Sequence, residues 1–175
     1  MQEAPIQLIR AQISDIEIIH QLAEIIWREH YPPIIGDEQV KYMLNRMYSF
    51  DELHKQISQG PQEFFLIHTD SSCPGFLSIE IDPKNPHKGF INKFYIQSET
   101  RRTGLGKLAF DALLQQFQNL DEIRLQVNRQ NYKAINFYFK MGFTIESVAD
   151  FNIGDGYFMN DFIMLWKKHK VHRTL

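Results

Sequence analysis

The sequence predicts an α/β fold: a mixed β-sheet, mostly antiparallel, covered by helices on both faces. Two observations lead to this prediction. In the middle of the chain, apolar residues change from a helical spacing to strand-like runs separated by turn residues. Further along, two helical patterns alternate with strand-like runs, an order that makes one pair of strands parallel. The length of 175 residues is ordinary for one domain, which we expect to span 1–175.

A strand and three helices are predicted before the sheet-forming middle. Ser14-Asp15-Ile16-Glu17 and Ser49-Phe50-Asp51-Glu52 both have the form of a capping box, which marks a helix start. Tyr31-Pro32-Pro33 and Gly60-Pro61 are expected to end the helices before them. The predicted elements are a strand at Ile6–Arg10 and helices from Ser14 to Tyr31, about Asp37 to Tyr48, and Ser49 to Gly60.

The remaining elements follow the same reasoning from periodicity and turn residues. Three runs form a predicted antiparallel meander: Glu63–His68, Gly75–Ile81 and Lys88–Gln97. The alternating part comprises a helix at Lys107–Asn119, a strand at Ile123–Asn128, a helix at Asn131–Lys140, and strands at about Phe143–Ala149 and Tyr157–Trp166. The basic segment 167–175 is expected to be a frayed tail.

The composition excludes several functional classes. A formal net charge of −2 does not fit a general nucleic-acid binder. Cys73 is the only cysteine, so no internal disulfide forms and a reducing compartment is expected. No run approaches the roughly 18 apolar residues of a membrane span, and residues 1–10 lack a basic-then-apolar signal, so we expect a cytoplasmic protein without a membrane partner. The seven histidines form no recognisable metal set, and no metal is expected.

The most informative segment follows the predicted meander. Two glycines one residue apart permit a tight turn where a helix begins, which directs several backbone N–H groups and the positive end of the helix dipole at one point. Basic side chains add full charges there. The segment therefore predicts a site for a phosphate or pyrophosphate, formed by Arg101, Arg102, Thr103, Gly104, Leu105, Gly106 and Lys107.

A nicotinamide or flavin dinucleotide is the first alternative ligand, because Gly104 to Ala109 fits the pattern G-x-G-x-x-G/A. In a dinucleotide-binding fold, however, this loop follows the first strand, and an acidic residue ends the next strand. Here about a hundred residues precede the loop, and the next strand ends in Gln126-Val127-Asn128 without a carboxylate. The context therefore disfavours a dinucleotide.

A second group of residues lies on the predicted helix that begins at Asn131. At 100° per residue, Asn131, Ala134 and Tyr138 share one face, whereas Lys133 and Lys140 lie on the opposite face. A small residue between two polar ones leaves room for a ligand along the helix. Taken alone, the pattern also fits a helix that only packs against the core, with a buried tyrosine whose hydroxyl is satisfied.

Taken together, the two motifs resemble those of the GNAT (GCN5-related) N-acetyltransferases. The family's pyrophosphate loop, Arg/Gln-x-x-Gly-x-Gly/Ala, corresponds to residues 101–106, and its later signature to Asn131, Ala134, Phe137-Tyr138 and Gly142-Phe143. The order of predicted elements is similar along nearly the whole chain. The resemblance implies one acetyltransferase domain with a central twisted sheet, in which one parallel pair of strands is splayed to admit acetyl-CoA.

The resemblance also implies a role for each matching residue. Backbone groups of Phe94, Tyr95 and Ile96 would bind the pantetheine arm and the acetyl carbonyl, much as an added strand would. The amides from Arg102 to Lys107 would bind the pyrophosphate. Asn131 would contact the pantetheine arm, and Tyr138 would face the thioester sulfur.

The chain departs from the family at the base that collects the proton of the acceptor amine. Many relatives have a glutamate on the strand before the glycine loop, whereas this strand has Asn92 in the expected position. Because an asparagine cannot act as a base, the expectation is a water molecule ordered by Asn92, Glu80 or a backbone carbonyl.

The acceptor is expected to be a small amine. Between Thr144 and Asp161 the charged residues are all acidic, which favours a cationic acceptor, although a solvated acidic hairpin explains the pattern equally well. The stretches 48–53, 151–155 and 161–164 resemble bacterial spermidine/spermine N-acetyltransferases, which implies polyamine acetylation. A protein N-terminus, a lysine or another amine stays open as acceptor, as does a non-catalytic acetyl-CoA-binding module. A homodimer is a possible assembly.

Overall fold

A computed structural model describes residues 6–100 and 104–168 of the chain. Its α-helices are α1 (Ile16–His30), α2 (Pro32–Ile35), α3 (Asp37–Tyr48), α4 (Phe50–Gln59), α5 (Leu105–Gln116) and α6 (Tyr132–Lys140). Its strands are β1 (Gln7–Arg10), β2 (Gln62–His68), β3 (Gly75–Ile81), β4 (Lys88–Ile96), β5 (Glu122–Asn128), β6 (Thr144–Gly154) and β7 (Tyr157–Lys167).

The predicted mixed α/β fold is confirmed. The strands form a seven-stranded sheet in the order β1-β2-β3-β4-β5-β7-β6. Neighbours β1 and β2, β2 and β3, β5 and β7, and β6 and β7 are antiparallel. The N–H groups of Asp121 and Glu122 both donate to the carbonyl of His87, at 2.8 and 3.1 Å, so β4 and β5 begin side by side. With α5 connecting them, they are the one parallel pair of the sheet.

The contacts within the chain divide it into two compact units. The first comprises Met1–Glu80 and Ile91–Gln118, and the second comprises Ile81–Phe90 and Asn119–Leu175. The expectation of one domain stays a prediction.

In the first unit, β2 is covered on both faces. Its residues Phe64, Phe65, Leu66 and Ile67 are all buried. Phe65 packs edge-on against Phe117, which follows α5, with ring centroids 5.9 Å apart. Phe64 instead lies beneath the ammonium of Lys93, which also contacts the ring of Tyr48 on α3. Because successive strand residues point to opposite faces, α3 and the end of α5 cover opposite sides of this part of the sheet.

Helix α1 confirms the predicted apolar face but begins differently from the prediction. All six residues that recur at helical spacing are buried: Ile16, Ile19, Leu22, Ala23, Ile26 and Trp27. The predicted capping box at Ser14 is wrong, because Ser14 lies within a 3-10 turn at Ile13–Asp15. The backbone N–H of Gln12 donates to the Asp15 carboxylate at 2.8 Å, so the capping box begins at Gln12, two residues earlier than predicted. The second predicted cap is confirmed, since the Ser49 hydroxyl accepts the Glu52 N–H at 3.4 Å.

Two other predicted boundaries are corrected. The prolines after Tyr31 end α1, but they also begin α2, because proline is well suited to the first turn of a helix. Strand β6 runs to Gly154 and not to about Ala149, because its pairing with β7 continues to the hairpin turn. That turn consists of Gly154, Asp155 and Gly156, which all have positive φ values.

In the second unit, α6 ends in a Schellman motif. The N–H of Phe143 donates to the carbonyl of Tyr138, and the N–H of Gly142 donates to that of Phe139, both at 3.0 Å. Gly142 has a φ of +90°, which residues with a side chain rarely adopt. The rings of Phe143 and Tyr138 are 5.5 Å apart. The cap therefore fixes the helical turn that carries Tyr138.

The C-terminal end of the described chain differs from the expected tail. Lys167 belongs to β7, and the N–H of Lys168 donates to the carbonyl of Asp121 at 2.8 Å. Residues 169–175 of the expected tail lie outside the described residues. None of the described helices is both long and apolar enough to cross a membrane.

We expect Gly142→Ala to lower the free energy of unfolding by about 1 kcal/mol or more, because alanine is strained at this positive φ. Gly142→Asn should cost less, since asparagine tolerates the left-handed region better. Urea unfolding of the two variants and the wild type measures the difference. Equal stability of all three proteins would show that the cap does not constrain α6.

Candidate functional site

The described part of the glycine loop begins at Gly104. This residue has a φ of +81° and is the N-cap of α5. The helix starts at Leu105 and not at the predicted Lys107, so Leu105, Gly106 and Lys107 form its first turn. Backbone N–H groups in a first helical turn have no acceptor within the helix, as an anion site requires. The predicted site residues Arg101, Arg102 and Thr103 lie outside the described residues.

The charges at the start of α5 differ from those of the preceding long helices. Helices α1, α3 and α4 each have acidic residues in their first turn, whereas α5 has none. Acidic side chains in a first turn stabilise the helix dipole but would repel a bound anion. The Lys107 ammonium is paired with the Asp111 carboxylate at 2.5 Å, one turn further along. Lys107 therefore contributes less free positive charge than its sequence position suggests.

The end of β4 is held closely against β3 within the first unit. A side chain on Gly75 would place its Cβ 2.2 Å from the carbonyl oxygen of Tyr95, so only glycine permits this approach. The N–H of Gln97 donates to the carbonyl of Pro74 at 2.9 Å. Phe94, Tyr95 and Ile96, which are the predicted backbone ligands of the pantetheine arm, are all half-buried.

Tyr95 belongs to an aromatic cluster that the sequence analysis did not predict. Its ring lies 5.9 Å from Trp27 and 6.2 Å from Tyr48. Tyr31 stacks on Trp27 with centroids 4.3 Å apart. Trp27 Nε1 and the Tyr48 hydroxyl are buried, and neither has a hydrogen-bond partner within the described residues. Burial raises the pKa of the Tyr48 hydroxyl above its ordinary value, so this group stays protonated.

Lys93 is a second feature that the sequence analysis missed. Its side chain is 4% exposed, and its ammonium donates to Gln62 Oε1 at 3.2 Å, an oxygen that also accepts the Ser78 hydroxyl at 2.9 Å. The ammonium lies over the rings of Tyr48 and Phe64 at 5.7 and 5.1 Å. Burial lowers the pKa of the Lys93 ammonium to about 8, and the charge of Glu52 opposes this shift. The alternation of Ile91, Lys93 and Tyr95 along β4 was the available signal in the sequence.

The two residues expected to order a water molecule both lie on strands of the first unit. Asn92 is half-buried in β4 and, by strand alternation, points away from the Lys93 side. Glu80 is half-buried near the end of β3, opposite Gln62 in the strand register. Their roles stay predictions.

In the second unit, α6 brings Asn131 and Tyr138 onto one element as predicted. Asn131 is buried and is the N-cap of α6, where its side-chain oxygen accepts the Ala134 N–H at 3.3 Å. Its backbone N–H donates to the carbonyl of Asn128 at 2.9 Å, which joins the helix to the end of β5. Tyr138 is 9% exposed and packs against Phe137 and Phe143.

The four acidic residues of the β6–β7 hairpin occupy three different environments. Glu146 accepts two hydrogen bonds from the Arg124 guanidinium, at 2.7 and 2.8 Å, which lowers the pKa of its carboxyl group. Asp150 is paired with Arg129 at 2.5 Å. Asp155 is exposed at the hairpin turn, and Asp161 is buried. The hairpin is therefore less negative than its sequence suggests, because arginines of β5 and of the following turn pair with two of its acids.

A model of the acetyltransferase (GNAT) family matches residues 19–143 of the chain. The protein belongs to the GNAT acetyltransferase family. The match includes both the glycine loop and Tyr138, together with the Gly142-Phe143 cap of α6. In this acetyltransferase, therefore, the family's later signature is also the structural motif that ends α6.

Curated relatives and a solved structure show how far this likeness extends. The spermidine N(1)-acetyltransferase of Thermoplasma acidophilum is 27% identical over 165 residues, which cover 91% of this chain and 95% of that protein. An N-alpha-acetyltransferase of Sulfurisphaera tokodaii is 24% identical over 158 residues, covering 83% and 84% of the two chains. The crystal structure of the PaiA N-acetyltransferase from T. acidophilum in complex with coenzyme A matches with a TM-score of 0.74 at 27% identity, covering 94% of this chain and 99% of that one.

Metal-binding residues are not grouped in the described ranges. Across residues 6–100 and 104–168, no three His, Cys, Asp or Glu side chains are placed to hold a metal ion. Two of the described histidines lie against backbone carbonyls. For example, His20 Nδ1 lies 2.7 Å from the carbonyl oxygen of Tyr48, and His87 Nδ1 lies 2.7 Å from that of Asn119.

The buried Lys93 of this GNAT protein predicts a specific pH dependence of stability. Its pKa falls from the ordinary 10.5 to about 8 on folding, so the unfolded chain binds the proton more tightly. The free energy of unfolding should therefore rise with pH between about 8 and about 10.5, and Lys93→Met should lack this rise. Lys55→Met, at an exposed position of α4, is the control and should retain it. Urea unfolding of both variants across this pH range measures the effect. If their free energies of unfolding depend on pH in the same way, the environment described for Lys93 is contradicted.

Proposed function

We propose that the protein transfers the acetyl group of acetyl-CoA to a primary amine, and that the acceptor is a small polycationic amine such as spermidine or spermine. One observation carries the proposal: the similarity to a spermidine N(1)-acetyltransferase extends over 91% of this chain and 95% of that protein. A resemblance limited to the glycine loop would suggest only the phosphorylated ligand. Similarity along the whole chain includes the parts that would bind the acceptor.

The residues of the glycine loop and α5 fit a bound pyrophosphate. Gly104 has the left-handed conformation that a tight turn into a helix requires, and the first turn of α5 has no acidic side chain. When bound, acetyl-CoA would supply an activated thioester. The residues that would hold it are Phe94, Tyr95, Ile96, Arg101, Arg102, Thr103, Gly104, Leu105, Gly106, Lys107, Asn131 and Tyr138.

Tyr138 would donate a proton to the sulfur of the leaving thiolate. A thiol has a pKa near 8.5, whereas a tyrosine near 10 is almost wholly protonated at neutral pH, so its hydroxyl is a suitable donor. A carboxylic acid would already be ionised. The Schellman cap and the contact with Phe143 fix the turn of α6 that carries Tyr138, as positioned acid catalysis requires. Backbone N–H groups near Phe94 to Ile96 would stabilise the negative charge that develops on the acetyl oxygen.

The acceptor amine must lose a proton before it can attack. An alkylamine with a pKa near 10.4 costs roughly 4.6 kcal/mol to present in its neutral form at pH 7. A protein group that accepts the proton lowers this barrier. The family motifs supply no such group on β4, where Asn92 stands in the position of the glutamate found in many relatives.

A polycationic acceptor is supported by the acidic side chains of the β6–β7 hairpin that have no arginine partner. With Glu146 and Asp150 paired, the unpaired acids are Asp155 and Asp161. Attraction by such charges raises the rate of encounter with a cation and weakens as salt is added. A protein N-terminus is the second candidate acceptor, because the N-alpha-acetyltransferase of S. tokodaii is similar over 83% of the chain.

We expect Tyr138→Phe to lower kcat by about 10²-fold or more, because the change removes only the hydroxyl of a positioned acid. The affinity for acetyl-CoA should change little. Tyr132→Phe makes the same chemical change on the same helix at a 69% exposed residue, and it should leave kcat unaltered. Release of free thiol from acetyl-CoA measures both variants. A kcat within about threefold of the wild type would show that Tyr138 only packs.

The acceptor is identified by measuring thiol release with a panel comprising spermidine, spermine, a peptide N-terminus, a lysine peptide and an aminoglycoside. We expect the two polyamines to give the highest kcat/KM and a KM that rises with ionic strength, since their attraction is screened over roughly 10 Å at 0.1 M salt. If the peptide N-terminus gives the highest kcat/KM, the proposed polyamine acceptor is wrong, whereas the proposed acetyl transfer stands. Binding of acetyl-CoA without turnover of any amine would favour a non-catalytic module.

A further inference from the structure

Asp161 is the one buried carboxylate in the described chain. It is 4% exposed on β7, and no hydrogen bond or salt bridge to its carboxylate is found within the described residues, although the charge of Arg129 acts on it. Burying an ionised carboxylate without a partner is costly, so such a group is normally paired or bound to a ligand. Asp161 therefore differs from Glu146 and Asp150 of the same hairpin, which are paired with Arg124 and Arg129.

The backbone places Asp161 where β5 passes into α6. It is opposite Asn128, the last residue of β5, in the strand register. The next residues of that turn are held to the same strands, because the Arg129 N–H donates to the carbonyl of Asn160 and the Asn131 N–H donates to that of Asn128, both at 2.9 Å. Asp161 thus lies beside the short segment that leads into the helix carrying Asn131 and Tyr138.

We infer that Asp161 binds the ammonium group of the acceptor and accepts a proton from it during acetyl transfer. The inference rests on the proposed function and supplies the base that Asn92 cannot provide. A cationic acceptor would give the buried carboxylate the partner that it lacks. An ammonium group recognised in this way belongs to a primary amine, whether on a polyamine or at a peptide N-terminus.

The protonation behaviour of Asp161 supports this role. Burial raises the pKa of its carboxyl group to about 6, while Arg129 opposes the shift and Asp150 adds to it. These two residues, on the β5–α6 turn and on β6, are the charged groups that act on it. At pH 7 to 8 the carboxyl group is therefore ionised and can accept a proton, and it is a stronger base than an ordinary aspartate. Lys93, whose pKa is about 8, is mostly protonated at pH 7 and fits this role less well.

Each proton in the proposed reaction has a donor and an acceptor. Asp161 takes one proton from the acceptor ammonium, which frees the nitrogen lone pair. The nitrogen forms a bond to the acetyl carbon, and the carbon–sulfur bond breaks. Tyr138 protonates the leaving sulfur and regains a proton from the nitrogen, which becomes an amide. Asp161 then releases its proton to solvent, so that one proton leaves in each turnover.

The test is Asp161→Asn, which keeps the shape of the side chain and removes its charge. Asp70→Asn makes the same change at an exposed turn of the first unit and serves as the control. With spermidine as acceptor at pH 8, Asp161→Asn should lower kcat by about 10²-fold or more and raise the KM for spermidine, whereas the KM for acetyl-CoA should be retained. In the wild type, kcat/KM should fall more steeply with decreasing pH below about 6, and the variant should lack this additional slope.

Thermal unfolding separates this role from a packing role. Because the carboxyl pKa rises from the ordinary 3.8 to about 6 on folding, the stability that it contributes is lost as the pH rises from about 4 to about 6. Asp161→Asn should lack this loss, so at pH 8 its Tm should be no lower than that of the wild type. A packing residue would instead lower the Tm.

The experiments distinguish failure of the inference about Asp161 from failure of the proposed function. If the wild type acetylates amines and Asp161→Asn retains kcat within threefold, the inference alone is overturned. A lower Tm together with lost acetyl-CoA binding in the variant would also overturn it. If the wild type acetylates no amine, the proposed function fails. The binding role of Asp161 is then tested by calorimetry with spermidine in the presence of CoA. If the wild type does not bind spermidine, or if wild type and variant bind it equally, the role of Asp161 is overturned.

Discussion

The cost of burying polar groups is the constraint on which the described structure depends. The buried polar or charged residues are Ser78, Lys93, Asn131 and Asp161. Ser78 and Lys93 share one acceptor, Gln62, and Lys93 also lies over two aromatic rings. Asn131 caps a helix. Three of these four residues are thus satisfied by the fold itself, whereas no hydrogen bond or salt bridge to the Asp161 carboxylate is found within the described residues, although the charge of Arg129 acts on it.

The sequence predicts well what depends on near neighbours. The buried face of α1, the Ser49 cap and the Asn131 cap all depend on spacings of three or four residues, which the fold retains. The Gly142-Phe143 pair is likewise local, because a Schellman cap involves the last turn of its own helix. Errors at this level are also local. The cap predicted at Ser14 lies two residues earlier, because Gln12 and Asp15 form the capping box.

What the sequence cannot predict depends on partners that are distant along the chain. From the sequence alone, Lys93 is an ordinary strand lysine, because its hydrogen-bond acceptor, Gln62, lies on another strand. In the sequence, the four acids of the hairpin suggest one negative patch, because the arginines that pair with two of them lie about twenty residues away along the chain. Arg124 reaches Glu146, and Arg129 reaches Asp150, because β7 lies between β5 and β6 and brings the three strands into one sheet. Strand order, which periodicity does not reveal, therefore decides which acid keeps its charge unpaired.

The pKa of Asp161 reconciles two demands that an amine acceptor makes on an acetyltransferase. The acceptor arrives as a cation, so the group that meets it must be negative near neutral pH. The same group must then take a proton, which a carboxylate with an ordinary pKa near 3.9 does poorly. A carboxyl group with a pKa of 9 would be a better base but would be uncharged when the cation arrives. A value of about 6 lies between these limits, and the fold produces it by burying the carboxyl group, an effect that the charge of Arg129 only partly offsets.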